Sequence, residues 1–468
     1  MSAHISSAEV CTLLTEDFLR KFDAPGPRYT SYPTADRFDE SVRPADVACL
    51  LHRLRNKGGA APLSLYVHIP FCEQLCYYCA CNKVVTKHHE RAVRYLQALE
   101  SELMLVAGSL GKGRALSQLH FGGGSPTFLS DCELEQLMAS LGAVFRLQAG
   151  SEVSIEVDPR TVTPARLEHL RRMGFNRVSF GVQDFDPEVQ KAVHREQSFE
   201  SVRDLMQVAR TLGFVSINAD LIYGLPRQTA ASFACTVRQI GELRPDRIAL
   251  YAYAHLPERF KAQRRIGEED LPSSAQRVAM LGEAIAGLLA RGYTYIGMDH
   301  FALPEDSLAV AKREGRLHRN FQGYSTQPDC DLIGLGVSAI GRVGPAYYQN
   351  AKALPDYYEC LEKRLLPVSR GYYLNKDDEL RRDVIMSLMC QGRLDFDRIQ
   401  DRYGIAMARA FPRELEELRK LADSGLVDLG ERGVQVTTAG WFLIRAIAMV
   451  FDHHLQAGKE LRRFSKLV

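Results

Sequence analysis

The sequence predicts an α/β fold: a partial (β/α) barrel of six or so parallel strands, with an N-terminal arm and a C-terminal, mostly helical, winged-helix-like domain. Three observations carry this expectation. From Leu63 to about residue 300, short apolar runs alternate with segments of helical period, as parallel strands joined by crossover helices do. Polar or glycine-rich residues follow these runs at one end: Cys72 after the first, Gly122–Ser125 after the second, Glu156 at the tip of the third, Gln183 after the fourth, Asp220 late in the fifth and His255 after the sixth. In a barrel that end is the C-terminal face, where active sites are built. After Ile340 the composition changes, and helical segments precede two short strand-like runs around a turn at Gly430–Gly433. A doubly wound sheet shows the same alternation, so periodicity leaves barrel and open sheet both standing.

Taken in order, residues 7–22 and 45–56 have helical spacing. Between them, residues 22–35 hold three prolines, one glycine and two tyrosines, which forbid a continuous helix. This stretch fits either a surface linker or an ordered arm lying over something. The strand candidates are Leu63–His68, Leu116–Phe121, Glu152–Val157, Arg177–Val182, Val215–Ile222 and Arg247–Ala252, with Thr294–Gly297 as a seventh. Helices are expected at Arg91–Ala107, Glu133–Phe145, Ala165–Met173, Phe199–Leu212 and Ala275–Ala290, and again at 377–389, 396–402 and 412–423. The strand-like pair Leu426–Leu429 and Val434–Thr437 reads as a wing, followed by a last helix from Ala439 to about Leu455. The expected domains are 1–60 (helices and arm), 61–355 (barrel) and 356–468 (helical, winged-helix-like), with the last boundary falling somewhere in 355–375.

A chain of 468 residues is long enough for two or three domains, because single cores stop growing near ~250–300 residues. Its 46% apolar and 25% charged residues are those of an ordinary globular protein. Lys plus Arg (59) against Asp plus Glu (57) leaves +2, which neither suggests nor excludes a nucleic-acid partner. The N-terminus lacks the layout of a secretion signal, and no apolar run approaches the ~20 residues of a membrane helix. A cytoplasmic protein without a membrane partner is therefore expected.

Four of the 11 cysteines fall in one stretch, Tyr66–Cys81, where Cys72, Cys76 and Cys79 are spaced C-x3-C-x2-C and Cys81 follows. Three thiolates on a tight loop suit an iron–sulfur cube with one open iron. Zinc stays open as an alternative, although no second C-x2-C or H-x3-H pair exists to complete such a site. The Gly122–Gly124 run suits a plain turn or a close backbone approach to a ligand. Glu156 sits at a strand position where an inward carboxylate needs a partner, either a ribose diol or a nearby arginine. His68, His120 and His255 read as hydrogen-bonded structural residues.

Tyr66–Cys81, together with Pro25–Ala35, Gly122–Thr127, Gly181–Phe185, Asp220–Pro226 and His318–Tyr324, resembles the radical S-adenosylmethionine (SAM) enzymes and, within them, the oxygen-independent coproporphyrinogen III oxidases. The resemblance implies a [4Fe-4S] cluster on Cys72, Cys76 and Cys79, and two SAM molecules. It places Tyr66, Gly123, Glu156 and Ile340 at the first SAM, and Tyr78, Gly124, Ser125, Gln183, Arg195, Asp220 and Ala254 at the second. Arg195 would face the carboxylate of the second SAM. Ala80 stands where relatives usually carry Gly and adds a Cβ near that ligand. The implied reaction converts two propionates of coproporphyrinogen III to vinyl groups, giving protoporphyrinogen IX for haem synthesis, with an unidentified electron donor and a monomeric enzyme. Cys81 is expected not to bind iron but to serve turnover, and Arg28 and Arg319 to hold substrate propionates. Two rival readings are a haem-trafficking relative, which typically lacks the fourth cysteine and the arm, and a nucleic-acid modifier using the tail, whose only basic cluster is Lys459–Arg463.

Overall fold

A computed structural model describes residues 26–56, 61–298 and 300–456. The expected helix at 7–22 and the basic run Lys459–Arg463 lie outside the described residues. Six strands, β1 (Leu63–Ile69), β2 (Arg114–Gly123), β3 (Phe145–Val157), β4 (Arg177–Gln183), β5 (Ser216–Tyr223) and β6 (Arg247–Ala252), pair in parallel. Their order in the sheet is their order in the chain, without the reversal that marks a doubly wound sheet, and this decides for the barrel. Helices α1 (Pro44–Asn56), α2 (Glu90–Leu110), α3 (Asp131–Val144), α4 (Pro164–Arg172), α5 (Phe199–Thr211), α6 (Ala230–Leu243) and α7 (Ser274–Ala290) complete the framework. Several begin at a polar side chain that satisfies the free amides of the first turn. Ser130 and Glu133 form such a reciprocal cap at α3, as Ser273 and Gln276 do at α7.

The sheet is wider than the repeat suggests. At one edge β8 (His300–Ala302) adds antiparallel to β6 and β7 (Thr294–Gly297) antiparallel to β8, so Thr294–Gly297 does not pair with β6 as a seventh parallel barrel strand. At the other, β9 (Leu332–Leu335) joins β1 in parallel, and β10 (Ile340–Val343), β11 (Ala346–Asn350) and β12 (Val368–Tyr373) continue antiparallel. The sheet thus reaches Tyr373, and a cut at 355 would separate β11 from β12, so of the range 355–375 only its end leaves the sheet whole. Beyond it lie α8 (Lys376–Gln391), α9 (Phe396–Tyr403) and α10 (Pro412–Asp423). A small antiparallel sheet of β13 (Arg393–Asp395), β14 (Val427–Gly430) and β15 (Gly433–Val436) has β15 in the middle, as in a wing.

The single helix expected from Ala439 to Leu455 is three short ones, Thr438–Phe442, Ile444–Met449 and His453–Gln456. Thr437 caps the first through Gly440, and Leu443 leaves helical geometry at φ −110°, ψ 23°. The second break frees Asp452 to accept a 2.8 Å hydrogen bond from Tyr29 Oη, with both side chains buried. His453 meets the Tyr32 hydroxyl at 3.2 Å, and Arg37 donates to the His454 carbonyl at 3.1 Å. Residues 26–38 are therefore an ordered arm, clasped by the C-terminal tail. No helix among the described residues is long and apolar enough to cross a membrane.

Candidate active site

In β1, Leu63, Leu65, Val67 and Ile69 are fully buried in the core, while Ser64, Tyr66 and His68 share the opposite face. The registers Tyr66↔His120, His120↔Ser154, Glu156↔Ser179 and Ser179↔Asn218 gather the corresponding residues of the next four strands on that face. At the C-terminal ends of these strands lies a cavity of about 340 Å³, within the range of small-molecule pockets. Cys72, Cys76, Cys79 and Cys81 line it. So do Tyr78, Gly123, Gly124, Ser125, Glu156, Gln183, Arg195 and Asp220, eight of the 11 expected SAM positions. Tyr66, Ala254 and Ile340 do not line it. Tyr66 lies beneath, stacked on His120 with its hydroxyl 3.0 Å from His68 Nδ1. Gln263 joins the Ala254 carbonyl to that of Tyr78, and Ile340 begins β10 beside Gly334.

Backbone hydrogen bonds from Val84 to Pro70 (2.7 Å) and from Thr86 to Cys72 (2.9 Å) hold the cysteine loop at its base. The glycines after β2 bring the chain against that loop. A Cβ on Gly124 would lie 2.7 Å from the Phe71 carbonyl oxygen, and Gly123, at φ +114°, would place one 2.5 Å from the His68 ring. Their close approach is thus to the protein's own loop and barrel floor.

The donor set separates the two metal readings. A tetrahedral zinc with Zn–S of about 2.3 Å needs its sulfurs roughly 3.8 Å apart. Among the described residues, the only three metal-ligating groups that converge within 4.8 Å are Asp378, His453 and His454, so the three loop thiols are too widely set for one ion. Wider spacing is what a multi-iron cluster requires. Burial pushes the Cys72 thiol up to about 12, whereas a hydrogen bond with Cys81, followed by the Lys83 ammonium, brings Cys79 down to about 6. The same bond holds the Cys81 thiol up.

Arg160 Nη2 and Arg195 Nη1 both point at Cys76 Sγ, each at 3.4 Å. Asp158 accepts from both guanidiniums, at 2.7 Å from Arg160 and 3.1 Å from Arg195. One carboxylate against two guanidiniums, that of Arg195 buried and that of Arg160 largely so, leaves a positive charge directed at that sulfur, which a thiolate there would balance. Asp158, Cys76 and the Gly181 carbonyl engage the two terminal nitrogens of Arg195, which lines the cavity, and its buried Nε has no partner among the described residues.

Among the described residues the partners of Glu156 are a histidine and a backbone amide, not an arginine. His120 Nε2 and the Gly123 amide sit 3.2 Å from its two oxygens, and although burial pushes the carboxyl up, these contacts hold it below its usual range. Asp220 is pushed up to about 6 by burial and by Glu156, against hydrogen bonds from Ser179 (2.9 Å) and Asn218 (2.9 Å). His68, His120 and His255 are hydrogen-bonded, as their strand-end positions suggested. Arg28 and Arg319 stand one layer behind the cavity. Arg28 lies 5.5 Å from the ring of Tyr251, which lines it, and Arg319 Nε donates to the Arg28 carbonyl with Nη1 buried and unpartnered.

Residues 66–240 match the model of the radical SAM superfamily, and 374–443 that of the HemN C-terminal domain. An oxygen-independent coproporphyrinogen III oxidase of Escherichia coli is 50% identical over 450 residues, covering 96% of this chain and 97% of the relative. The chain belongs to the family of oxygen-independent coproporphyrinogen III oxidases. Other family members from Salmonella typhimurium (49% identity, 96% and 97% covered) and Helicobacter pylori (42%, 95% and 97%) match over the same extent. A solved structure described as coproporphyrinogen III oxidase from E. coli, a radical SAM enzyme, superposes with TM-score 0.88 at 50% identity, covering 91% of this chain and 97% of that one.

Sequence reasoning missed Asp158, Arg160, Ser179 and Tyr251, all of which line the cavity. Two signals were available. Asp158-Pro-Arg160 is an opposite-charge pair directly after a strand, and Ser179 lies two residues before Gly181 on the inward period of β4.

Proposed function

We infer that this protein catalyses the oxidative decarboxylation of two propionate side chains of coproporphyrinogen III to vinyl groups, yielding protoporphyrinogen IX for haem synthesis. The observation that carries the inference is the cavity itself. Four thiols and the carboxylates of Glu156 and Asp220 meet at the C-terminal mouth of a partial barrel, in a chain 50% identical to an oxidase named for this substrate. Neither haem carriage nor nucleic-acid modification has comparable support.

Cys72, Cys76 and Cys79 would hold a [4Fe-4S] cluster and the surrounding positions two SAM molecules. When bound, the cluster and SAM would supply the radical chemistry that removes a hydrogen atom from each reacting propionate. Loss of CO2 and one further electron would leave the vinyl group, so a one-electron acceptor is needed in addition to the external donor.

The chain's own residues bind, orient and exclude water. Glu156 and Asp220 are acceptors suited to ribose hydroxyls, and Asp220 gains most because a diol would add donors to a buried carboxylate. Gly123, Gly124 and Ser125 bring backbone to the cavity wall beside the cluster loop. Tyr66 supports His120, and through it Glu156, from below. Tyr78 and Ala254, tied by Gln263, cover the opposite rim, and Ile340 belongs to the outer layer. Arg28 and Arg319 face the cavity through Tyr251 and supply the cations a tetracarboxylate substrate needs. The clasped arm shields the site from solvent, which reactive radicals require. Cys81 serves turnover and does not bind iron, a reading supported by its exposure at the loop's edge and its hydrogen bond with Cys79. An external one-electron donor is required, and the protein acts as a monomer.

The test is anaerobic. Reconstituted protein with coproporphyrinogen III, SAM and a reductant should release 5′-deoxyadenosine and a divinyl product. Absence of both from protein with a spectroscopically intact cluster rejects the reading. Arg28→Ala and Arg319→Ala should each raise KM at least several-fold, and unchanged KM in both removes them from substrate binding.

A further inference from the structure

We propose that Asp158, Arg160 and Arg195 form a positioning unit that sets the reduction potential of the cluster by directing two charge-assisted N–H···S hydrogen bonds at the sulfur of Cys76. The proposal rests on the reading of Cys76 as a cluster ligand.

The geometry is specific to one sulfur. Arg160 Nη2 and Arg195 Nη1 reach Cys76 Sγ at 3.4 Å from two different strand-end loops. Cys72 Sγ meets only the Ser125 hydroxyl, at 3.8 Å, and Cys79 is bonded within its own loop by Cys81. Both guanidiniums are held as if for this purpose. Asp158 takes Arg160 Nε at 3.0 Å and Nη2 at 2.7 Å, and takes Arg195 through Nη1 at 3.1 Å and Nη2 at 3.2 Å. Gln74 Oε1 fixes Arg160 Nη1 at 2.9 Å, and the Gly181 carbonyl fixes Arg195 Nη2 at 2.6 Å. The side chains of Asp158, Arg160 and Arg195 are only 10%, 10% and 7% exposed, so water screens their charges little.

Two cations and one anion leave a net positive charge beside the Cys76 sulfur. One-electron reduction adds negative charge to the cluster without breaking a bond or moving a proton. Donors and positive charge at a ligand sulfur stabilise that reduced form and raise the potential. In this arrangement Asp158 does not touch the sulfur but acts through the two arginines it aligns.

The test compares wild type with Arg160→Gln, Arg160→Lys and Gln74→Ala, each reconstituted and titrated anaerobically with dithionite while reduced cluster is followed by electron paramagnetic resonance. Iron and sulfide content are measured on the same samples. Arg160→Gln should shift the midpoint negative, lowering the reduced-to-oxidised ratio at the wild-type midpoint about tenfold, which is about 59 mV for one electron. Arg160→Lys, which keeps the charge and loses the fork, should fall between, and Gln74→Ala should shift in the same direction by less. A wild-type midpoint in Arg160→Gln at full iron content overturns the proposal. Should that variant lose iron, wild-type midpoints in both Arg160→Lys and Gln74→Ala overturn it equally. A wild-type protein that binds no four-iron cluster would instead refute the ligand assignment, a separate failure visible in the iron content.

Discussion

Glu102, on α2, is a carboxyl with almost no solvent contact, 2% exposed, and three donors converge on it: the Gly336 amide at 2.7 Å, Asn350 Nδ2 at 2.6 Å and the Tyr357 hydroxyl at 2.6 Å. Beside it, the Tyr95 hydroxyl donates to the His68 carbonyl at 2.6 Å and accepts from the Val337 amide at 3.1 Å. The two side chains together tie the β9–β10 connection to the end of β1 from which the cysteine loop departs. Burial pushes Glu102 from its ordinary 4.5 up to about 7, with the hydrogen bonds offsetting part of the rise. Between those two pH values the native state keeps a proton that the unfolded state has released. The resulting stabilisation is complete below about pH 4.5 and is lost as pH rises through about 7. A gap of roughly 2.5 pH units at about 1.36 kcal/mol each is about 3 kcal/mol. Glu102→Gln is neutral at every pH and lacks this dependence. Urea unfolding of the metal-free proteins at pH 5 and pH 8 should therefore show the wild-type advantage over the variant shrinking by about 2.5 kcal/mol at the higher pH, the remainder falling below pH 5 where the unfolded carboxyl begins to ionise. A difference that stays constant, or widens toward pH 8, refutes the reasoning.

The arm clasp predicts that Tyr29→Phe lowers stability by about 1–3 kcal/mol, because Asp452 is left buried with one donor fewer. A double-mutant cycle with Asp452→Asn should give a coupling energy near 1 kcal/mol or more, and a coupling of zero counts against the clasp. Gly124→Ala, whose Cβ would stand 2.7 Å from the Phe71 carbonyl oxygen, should leave helix content unchanged by circular dichroism while reducing iron bound per chain after reconstitution. Full iron occupancy would show that the loop can move aside. Cys81→Ser should keep the cluster spectrum and lose turnover, and full activity would remove Cys81 from the reaction.

Much of the site was legible along the chain because its chemistry is local. C-x3-C-x2-C fixes three thiols on one loop by spacing, and the glycine run and strand-end polar residues follow from the period of a parallel sheet. All four cysteines and eight of the 11 expected SAM positions line one cavity. Strand order was not legible, since hydrophobic alternation is blind to which strands become neighbours, and neither were the antiparallel additions at both sheet edges, whose partners are distant in sequence. The expected continuous helix to Leu455 failed for a related reason. Its apolar spacing is helical, but the Tyr29–Asp452 contact, across 423 residues, coincides with a break that spacing does not encode.

The sequence by itself therefore determined the cysteine loop, the alternation of strands and helices and the family, because these depend on residue type and short-range spacing. Tertiary structure decided the partners of each charged group. Glu156 pairs with His120 and not with an arginine, and Arg195 is engaged by Asp158 before any ligand arrives. The charge directed at Cys76 is likewise a sum over three residues from two loops. Such pairings are set by distance in space, through Coulomb energy and hydrogen-bond geometry, and separation along the chain carries no information about them.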